Sequence, residues 1–266
     1  MNVAESPIAS RSNPLIKQAR ALRQRKARAA TGLFLVEGIH HVGEAAEAGW
    51  QIEAILYAPD LLTSAFARRL IDQQAARGVR CQPVAAQVFG SLADKENPPG
   101  ILAVVRQRCL TLERLTPKNF AWGAALVSPQ DPGNLGAILR TIDAVGAAGL
   151  ILLDGGVDHY HPGAVRAGMG ALFWKPVAQS SFGEFVDWAR RGGYRLIGAS
   201  AHAAADYRAV KRGAAPTVLL LGSEQKGLSE GQKAACDVVV SLPMRGRAAS
   251  LNLAVAAGIL LYAFGE

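Results

Sequence analysis

Cysteine is scarce in this sequence: Cys81, Cys109 and Cys236 are its three, far apart and without paired spacing. That excludes a disulfide framework and offers no zinc site. A reduced, cytoplasmic compartment is the expectation. The five histidines, His40, His41, His159, His161 and His202, are equally scattered, and each reads as a structural or surface residue. With no His/Cys or carboxylate cluster, no metal is expected. Long apolar runs are missing too. The longest, "SLNLAVAAGILLYAF", is too short and alanine-rich to span a bilayer, and the opening "MNVAESPIASRSNPLIKQ" lacks the apolar core of a signal peptide. A soluble protein without a membrane partner is expected. The phosphate-loop spacing G-x-x-x-x-G-K-S/T occurs nowhere, and no G-x-G-x-x-G follows the first strand of the second half.

What the chain has is length, apolar bulk and positive charge. Its 266 residues are comfortable for two domains, half of them are hydrophobic, and the net charge is +8 with a pI near 9.7. Such a balance favours a polyanionic partner such as nucleic acid over an acidic or neutral one. The charge is concentrated at the start, where Arg11, Lys17, Arg20, Arg23, Arg25, Lys26 and Arg28 face a single nearby acid, Glu5. This segment reads as a helix opened by Ser12, Asn13 and Pro14, with a thin apolar stripe of Leu15, Ala19 and Leu22. It is either a solvated face or a surface for RNA or DNA. Strand and helix patterns then alternate through "GLFLVEG", "IHHVGEAAEAG", "IEAILYA", "SAFARRLIDQQAARG", "VRCQPV" and "GILAVVRQR". They make a small α/β unit over residues 1–108.

Residues 109–118, "CLTLERLTPK", read as a linker, and 119–266 as a second domain. Its strands are "AALVS", "GLILLD", "WKPVA", "RLIGAS", "TVLLLG" and "DVVVSLP". Near-continuous apolar strands separated by helices mean a parallel sheet flanked by helices. Ligands bind such sheets at the carboxyl ends of the strands, which points to "SPQDPGN", "GSEQKG" and "PMRGRAAS". After the first of these, a helix taken from Asn134 at about 100° per residue puts Leu135, Ile138, Leu139, Ile142 and Val145 on one face. Arg140 lies opposite, bedded among Gly133, Gly136, Ala137, Ala144 and Ala147. Either it projects into a cleft that something approaches closely, or it caps a buried carbonyl or pairs with Asp143 or Glu224. The second loop ends a strand at Gly222 and carries Glu224 and Gly227. The third runs through Gly246 into Ser250, a good N-cap for the last helix. That helix is apolar on every side, with Asn252 its one strongly polar residue. It must be covered all round, at a subunit interface or in a core.

In this order, "DPGNLGAILRTIDAVGA", "LLLGSEQKGLS" and "LPMRGRAASLNLAVAAGILLYAF" resemble the three motifs of the SpoU (TrmH) family of SPOUT methyltransferases. The front half, with "FLVEG" and "PPGILAVV", resembles the L30e-like substrate-binding domain found ahead of many such catalytic domains. The resemblance implies a C-terminal trefoil knot, a homodimer through the C-terminal domain, and S-adenosyl-L-methionine as cofactor. It implies 2′-O-ribose methylation of RNA, with 23S ribosomal RNA the expected substrate and tRNA the alternative. A non-catalytic RNA-binding protein of the same fold would not need the motif residues kept here, and a base-methylating enzyme should lack Asn134 with Arg140. By motif, Arg140, Asn134, Glu224, Ser250 and Asn252 are the implied catalytic set. Gly222, Leu242 and Leu251 would contact the cofactor mainly through backbone, with Leu221, Ser223, Gly227, Met244, Ser250 and Asn252 completing the pocket. Arg11, Lys17, Arg20, Arg23 and Arg25 are the RNA-contact candidates, joined by Arg166 from "VRAGMGALFWKPV", a stretch where Gly168 replaces the family's serine. Gln225 and Lys226 stand where many members have a glycine and an acid. The family role for Arg140 is general base. A guanidinium, with a pKa above about 12, is better suited to steadying charge on the attacking oxygen.

Overall fold

The computed structural model describes residues 6–92 and 100–265; Glu5 and the Pro98-Pro99 pair of "PPGILAVV" lie outside them. Two compact units emerge: Met1–Arg108 with Tyr160–Phe173, and Cys109–His159 with Trp174–Glu266.

In the first unit the basic segment is two helices, not one: α1 (Pro14–Ala21) and α2 (Arg25–Thr31). Asn13 caps α1, its side chain accepting from Leu15 N at 2.9 Å, and Pro14 occupies the first turn. Ile16, Ala19 and Leu22 are buried, so the stripe runs through Ile16 in place of Leu15. The break has a visible cause. Arg28 is 2% exposed, and its Nη1 donates to the carbonyls of Leu22 (3.0 Å) and Arg23 (2.8 Å), the orphan acceptors where α1 ends. Arg28 is therefore a structural arginine, while Arg11, Lys17, Arg20 and Arg25 stay exposed.

The chain continues through β1 (Leu33–Glu37), α3 (Ile39–Glu47), β2 (Ile52–Tyr57), α4 (Ala65–Ala76), β3 (Arg80–Pro83), α5 (Ala86–Phe89) and β4 (Ile101–Arg106). The sheet order is β1-β4-β2-β3, with β4 antiparallel to both neighbours and β3 parallel to β2. Its core gathers Ile16, Leu22, Leu35, Leu56, Phe89 and Leu102.

The second unit is an all-parallel sheet. It begins with β5 (Trp122–Val127), α6 (Pro132–Ala144) and β6 (Leu150–Leu153). The next helices are α7 (Pro162–Ala167) and α8 (Ala171–Trp174), and the stretch through Phe173 belongs to the first unit. Then come β7 (Val177–Ser180), α9 (Phe182–Arg191), β8 (Arg195–Ala199), the two-residue β9 (Ala205–Asp206), β10 (Thr217–Leu221), α10 (Glu230–Ala234), β11 (Val238–Ser241) and α11 (Leu253–Gly265). Strand order is β7-β6-β5-β10-β8-β11-β9. Strands β5 and β10 are buried along their whole length, as strands covered on both faces must be.

Residues 109–118, expected as a linker, are anchored. Leu112 and Leu115 are buried in this unit's core with Phe120, Phe185 and Trp188, and Trp188 Nε1 donates to the Leu115 carbonyl at 2.9 Å. The segment's three leucines, Leu110, Leu112 and Leu115, follow no sustained helix or strand period, which hides the burial of the last two from a periodicity reading. His159 fits its structural assignment: burial pushes its imidazole down to about 4, against the opposing pull of Asp158, and its Nδ1 lies 3.3 Å from Gln179 Nε2.

Candidate active site

The parallel order puts the carboxyl ends of β5, β10, β8 and β11 side by side. The three motif loops leave from β5, β10 and β11, so sheet topology alone brings them together.

The first loop ends in a cap. Asp131 precedes α6, and its Oδ1 accepts from Asn134 N at 2.7 Å, with Pro132 at the first helical position. The helix thus starts two residues before Asn134. Leu135, Ile138, Leu139 and Ile142 are buried as the periodicity requires. Arg140 points away from them; it is exposed and makes no hydrogen bond or ion pair among the described residues. The proposed structural partners are engaged elsewhere: Asp143 lies 3.4 Å from Lys175 Nζ, and Glu224 takes donors from the first loop. On the same face Ala144 and Gly133 are exposed, but Gly136 and Ala147 are buried.

The second loop is shaped by two glycines. A Cβ on Gly222 would fall 2.0 Å from the Gly227 carbonyl carbon, so the chain can double back there only without a side chain. Gly227 has φ +63°, and its N–H donates to Ser223 O at 2.9 Å, closing the turn. Gln225 and Lys226 are not in the left-handed region, so neither position demands a glycine on backbone grounds.

Glu224 sits at the meeting point. Its carboxylate accepts from Gln130 N (3.1 Å), Asp131 N (3.3 Å) and Asn134 Nδ2 (3.4 Å). Asn134 Oδ1 in turn accepts from Asn252 Nδ2 at 2.9 Å, and Asn252 Oδ1 accepts from Ala254 N (2.9 Å) and Val255 N (3.3 Å). Donors and acceptors alternate along this chain, which fixes both amide orientations and ties the second loop to the starts of α6 and α11. Asn252, whose carbonyl also takes Ala256 N, is the N-cap of α11. Ser250, two residues earlier and exposed, is not. Nor does Asn252 stand a turn inside the helix, as the apolar pattern suggested; it is an exposed cap. Either residue suits a cap, and only the backbone path chooses between them.

Two cavities share the wall built by Glu224, Gln225, Ser250, Leu251 and Leu253. One, of about 370 Å³, takes in Leu221, Gly222, Ser223, Gly227, Leu242, Met244, Ser250 and Leu251 from the expected cofactor set. The other, of about 590 Å³, is lined by Asn134, Ser250 and Asn252, with Gln130 and Asp131. Asn252 therefore faces the second cavity and not the first. Arg140 lines neither. Sequence reasoning also missed the end of β8: Ala199, Ser200, Ala201 and His202 line the first cavity. The signal available was the strand-end rule applied to "RLIGAS", whose following loop, Ser200 to Ala204, holds no glycine, aspartate, glutamate, lysine or arginine to draw the eye. Of the RNA-contact candidates, Arg23 and Arg166 line one cavity of the first unit; the others are exposed along α1 and α2.

An all-parallel sheet with glycine-shaped loops enclosing a pocket at its strand ends defines a ligand-binding α/β domain. The chain belongs to the SpoU rRNA Methylase family, whose pattern matches residues 123–262. The MRM3-like substrate binding domain matches residues 13–103. The sequence is 37% identical over 250 residues to the 23S rRNA (uridine(2479)-2′-O)-methyltransferase of Streptomyces viridochromogenes, covering 91% of this chain and 85% of that one. It is 29% identical to the 23S rRNA (guanosine(2553)-2′-O)-methyltransferase RlmP of Bacillus subtilis, covering 96% and 97%. The AdoMet-bound rRNA methyltransferase from Sinorhizobium meliloti superposes with a TM-score of 0.89 at 34% identity, covering 97% and 96%.

Because the turn at Gly222 has no room for a methyl group, Gly222→Ala should push the second loop off its path at a cost of about 1–3 kcal/mol. Calorimetric titration with S-adenosylmethionine is expected to show affinity reduced about tenfold or more, with circular dichroism unchanged; wild-type affinity in this variant would refute the assigned role of the turn.

Proposed function

We propose that this chain transfers a methyl group from S-adenosylmethionine to the 2′-hydroxyl of a ribose in ribosomal RNA, of the 23S class for which two of its full-length relatives are named. The observation that carries the reading is the shared wall. A glycine-shaped pocket of cofactor size abuts a more polar cavity, and Glu224, Asn134 and Asn252 are bonded into the partition.

The residues fit the cofactor. Leu221, Leu242, Met244 and Leu260 supply apolar surface for a purine and a thioether-like chain. The Gly222 turn lets backbone come close to a ligand. Bound there, S-adenosylmethionine supplies an electrophilic methyl on a sulfonium, and displacement by oxygen needs no metal. Glu224 is committed to three N–H donors, so it acts as a fixed strut. Asn134 and Asn252 hold the acceptor side of the wall in one orientation. Arg140, exposed and without a partner among the described residues, is the cation assigned to the developing alkoxide and the neighbouring phosphate. The hydroxyl proton leaves to water. Arg11, Lys17, Arg20, Arg23, Arg25 and Arg166 would hold the RNA backbone.

The test is transfer of labelled methyl from S-adenosylmethionine to 23S RNA from cells lacking the gene, followed by alkaline hydrolysis. Label is expected in an alkali-resistant dinucleotide, since a 2′-O-methyl group blocks cleavage there. Arg140→Ala is expected to lower the rate about 100-fold. Label in a base, or in tRNA alone, would overturn the reading.

The active form is a homodimer through α11. Its inner side buries Ala257, Leu260, Leu261 and Phe264, while Val255 (50% exposed), Ile259 (38%) and Tyr262 (59%) form an apolar stripe on the outer side. A contiguous exposed stripe of this kind marks an interaction surface. A second copy there would extend over α6, against which α11 packs, and so toward Arg140. Insertion of β10 between β5 and β8, with α11 packing on α6, supports the reading of a knotted C-terminal segment. Ile259→Glu with Tyr262→Glu should give a monomer by light scattering. A dimer of wild-type mass would place the interface elsewhere.

A further inference from the structure

Ser128 and Asp154 are the two non-glycine residues of the second unit, among those described, whose backbone turns left-handed, at φ +44° and +55°. They stand side by side. Ser128 follows β5 and Asp154 follows β6, and the last residues of those strands, Val127 and Leu153, are partners in the parallel ladder. Left-handed backbone costs free energy in any residue with a side chain, and it persists only where the surroundings over-determine it.

The surroundings here are specific. Ser128 N donates to Leu153 O at 2.8 Å, and Ser128 Oγ to Asp154 O at 3.1 Å. Asp154 N donates to Ser180 O at 3.1 Å, and its Oδ1 accepts from Phe182 N at 2.8 Å, where the start of α9 favours a carboxylate. The chain then passes through Gly155 and Gly156, at φ +81° and +96°, and Val157 N donates to Pro129 O at 2.7 Å. A Cβ on Gly156 would lie 2.3 Å from Pro129 O and 2.8 Å from both Pro129 N and Ser128 C. The turn after β6 therefore packs backbone against backbone on the first motif loop, which only glycine allows.

Pro129 is the residue on which this contact falls, and it is buried. The next two residues carry the N–H groups that Glu224 accepts, Gln130 N at 3.1 Å and Asp131 N at 3.3 Å. Asp131 also caps the helix that presents Asn134. A mechanical path thus runs from Gly156 through Pro129 to Glu224 and Asn134. Gln130, Asp131 and Asn134 line the more polar cavity and not the cofactor-sized one, so a shift of Pro129 is felt on the acceptor side. Ser128, Asp154 and Gly156 line neither cavity.

We infer that Gly156, anchored by Asp154, is a positioning residue for methyl transfer: its contact with Pro129 sets where the Gln130 and Asp131 N–H groups point, and so how Glu224 and Asn134 stand beside the reacting centre. The inference rests on the reading of the chain as a methyltransferase.

Three quantities test it in the full chain: the single-turnover rate of transfer to 23S RNA, the affinity for S-adenosylmethionine, and hydrogen exchange at the Gln130 and Asp131 amides. Gly156→Ala is expected to lower the rate about 30-fold or more, the order of loss when reacting groups shift by about an ångström. Cofactor affinity should stay within about threefold, and the two amides should exchange about tenfold faster. Asp154→Ala should lose rate in the same way. Asp154→Asn keeps an acceptor and tolerates left-handed backbone, and should restore the wild-type rate. Gly213→Ala is the control for strain alone: Gly213 has φ +77°, lies in the loop before β10, and has nothing within 4 Å of an added Cβ. It should lower the melting temperature but leave rate and exchange unchanged. A wild-type rate in Gly156→Ala, or an equal loss of rate in Gly213→Ala, would overturn the assignment. If Gly156→Ala does not fold, the Asp154 pair decides, since equal rates for Asp154→Ala and Asp154→Asn would overturn it too. Exchange separates the two readings. Wild type without any transfer removes the enzyme reading, while faster exchange in Gly156→Ala still upholds the mechanical link. Transfer by wild type with unchanged exchange in Gly156→Ala removes the link and leaves the enzyme.

Discussion

Everything in the second unit depends on a short chain of hydrogen bonds from Glu224 through Asn134 to Asn252. The carboxylate collects Gln130 N, Asp131 N and the Asn134 amide, and Asn134 collects the Asn252 amide, whose own oxygen caps α11. Three loops from three separate strands become one rigid wall by this route. A half-satisfied version would be worse than none, since buried or partly buried polar groups stabilise a fold only when each finds a partner. The alternation of donor and acceptor leaves no ambiguity in the pattern. It also explains why two asparagines serve here: each must donate on one side and accept on the other, which neither an aspartate nor a serine does with the same reach.

Much of this was legible in the sequence, and the reasons are specific. Strands such as "TVLLL" read clearly because a strand buried on both faces has no polar positions to confuse it. The loops were legible because parallel strands put their carboxyl ends on one side of the sheet. The failures are equally specific. Ser250 and Asn252 are both good caps, and only the path of the backbone makes Asn252 the one used. The break between α1 and α2 depends on Arg28 folding back on two carbonyls, an interaction with no composition signal. A helix apolar all round looks the same whether packed on one side or two, so the outer stripe of α11 had to be seen. The lining contributed by Ser200 and His202 came from a loop without any distinctive residue.

The two units divide the work by charge as well as by fold. The first carries the exposed arginines of the N-terminal basic segment and a cavity lined from β1, β4, α3 and α7. The second carries the apolar, glycine-shaped pocket and, at Arg140, an exposed arginine on the far side of a helix from its apolar face. Arg140 makes sense in that division. Its bed of small residues is partly buried, at Gly136 and Ala147, and partly open surface, at Gly133 and Ala144, and the charge placed there bonds to none of the described residues.

The central claim is that the wall held by Glu224, which both cavities share, sets the geometry of transfer far more than it sets cofactor affinity. The most direct measurement compares Glu224→Gln with wild type in single-turnover methyl transfer and in equilibrium binding of S-adenosylmethionine. Glutamine keeps the shape but replaces one acceptor oxygen with a donor facing donors. Cofactor affinity should stay within about threefold while the transfer rate falls about 100-fold, the loss expected when preorganised groups at a reacting centre are disturbed. A transfer rate equal to wild type would contradict the account.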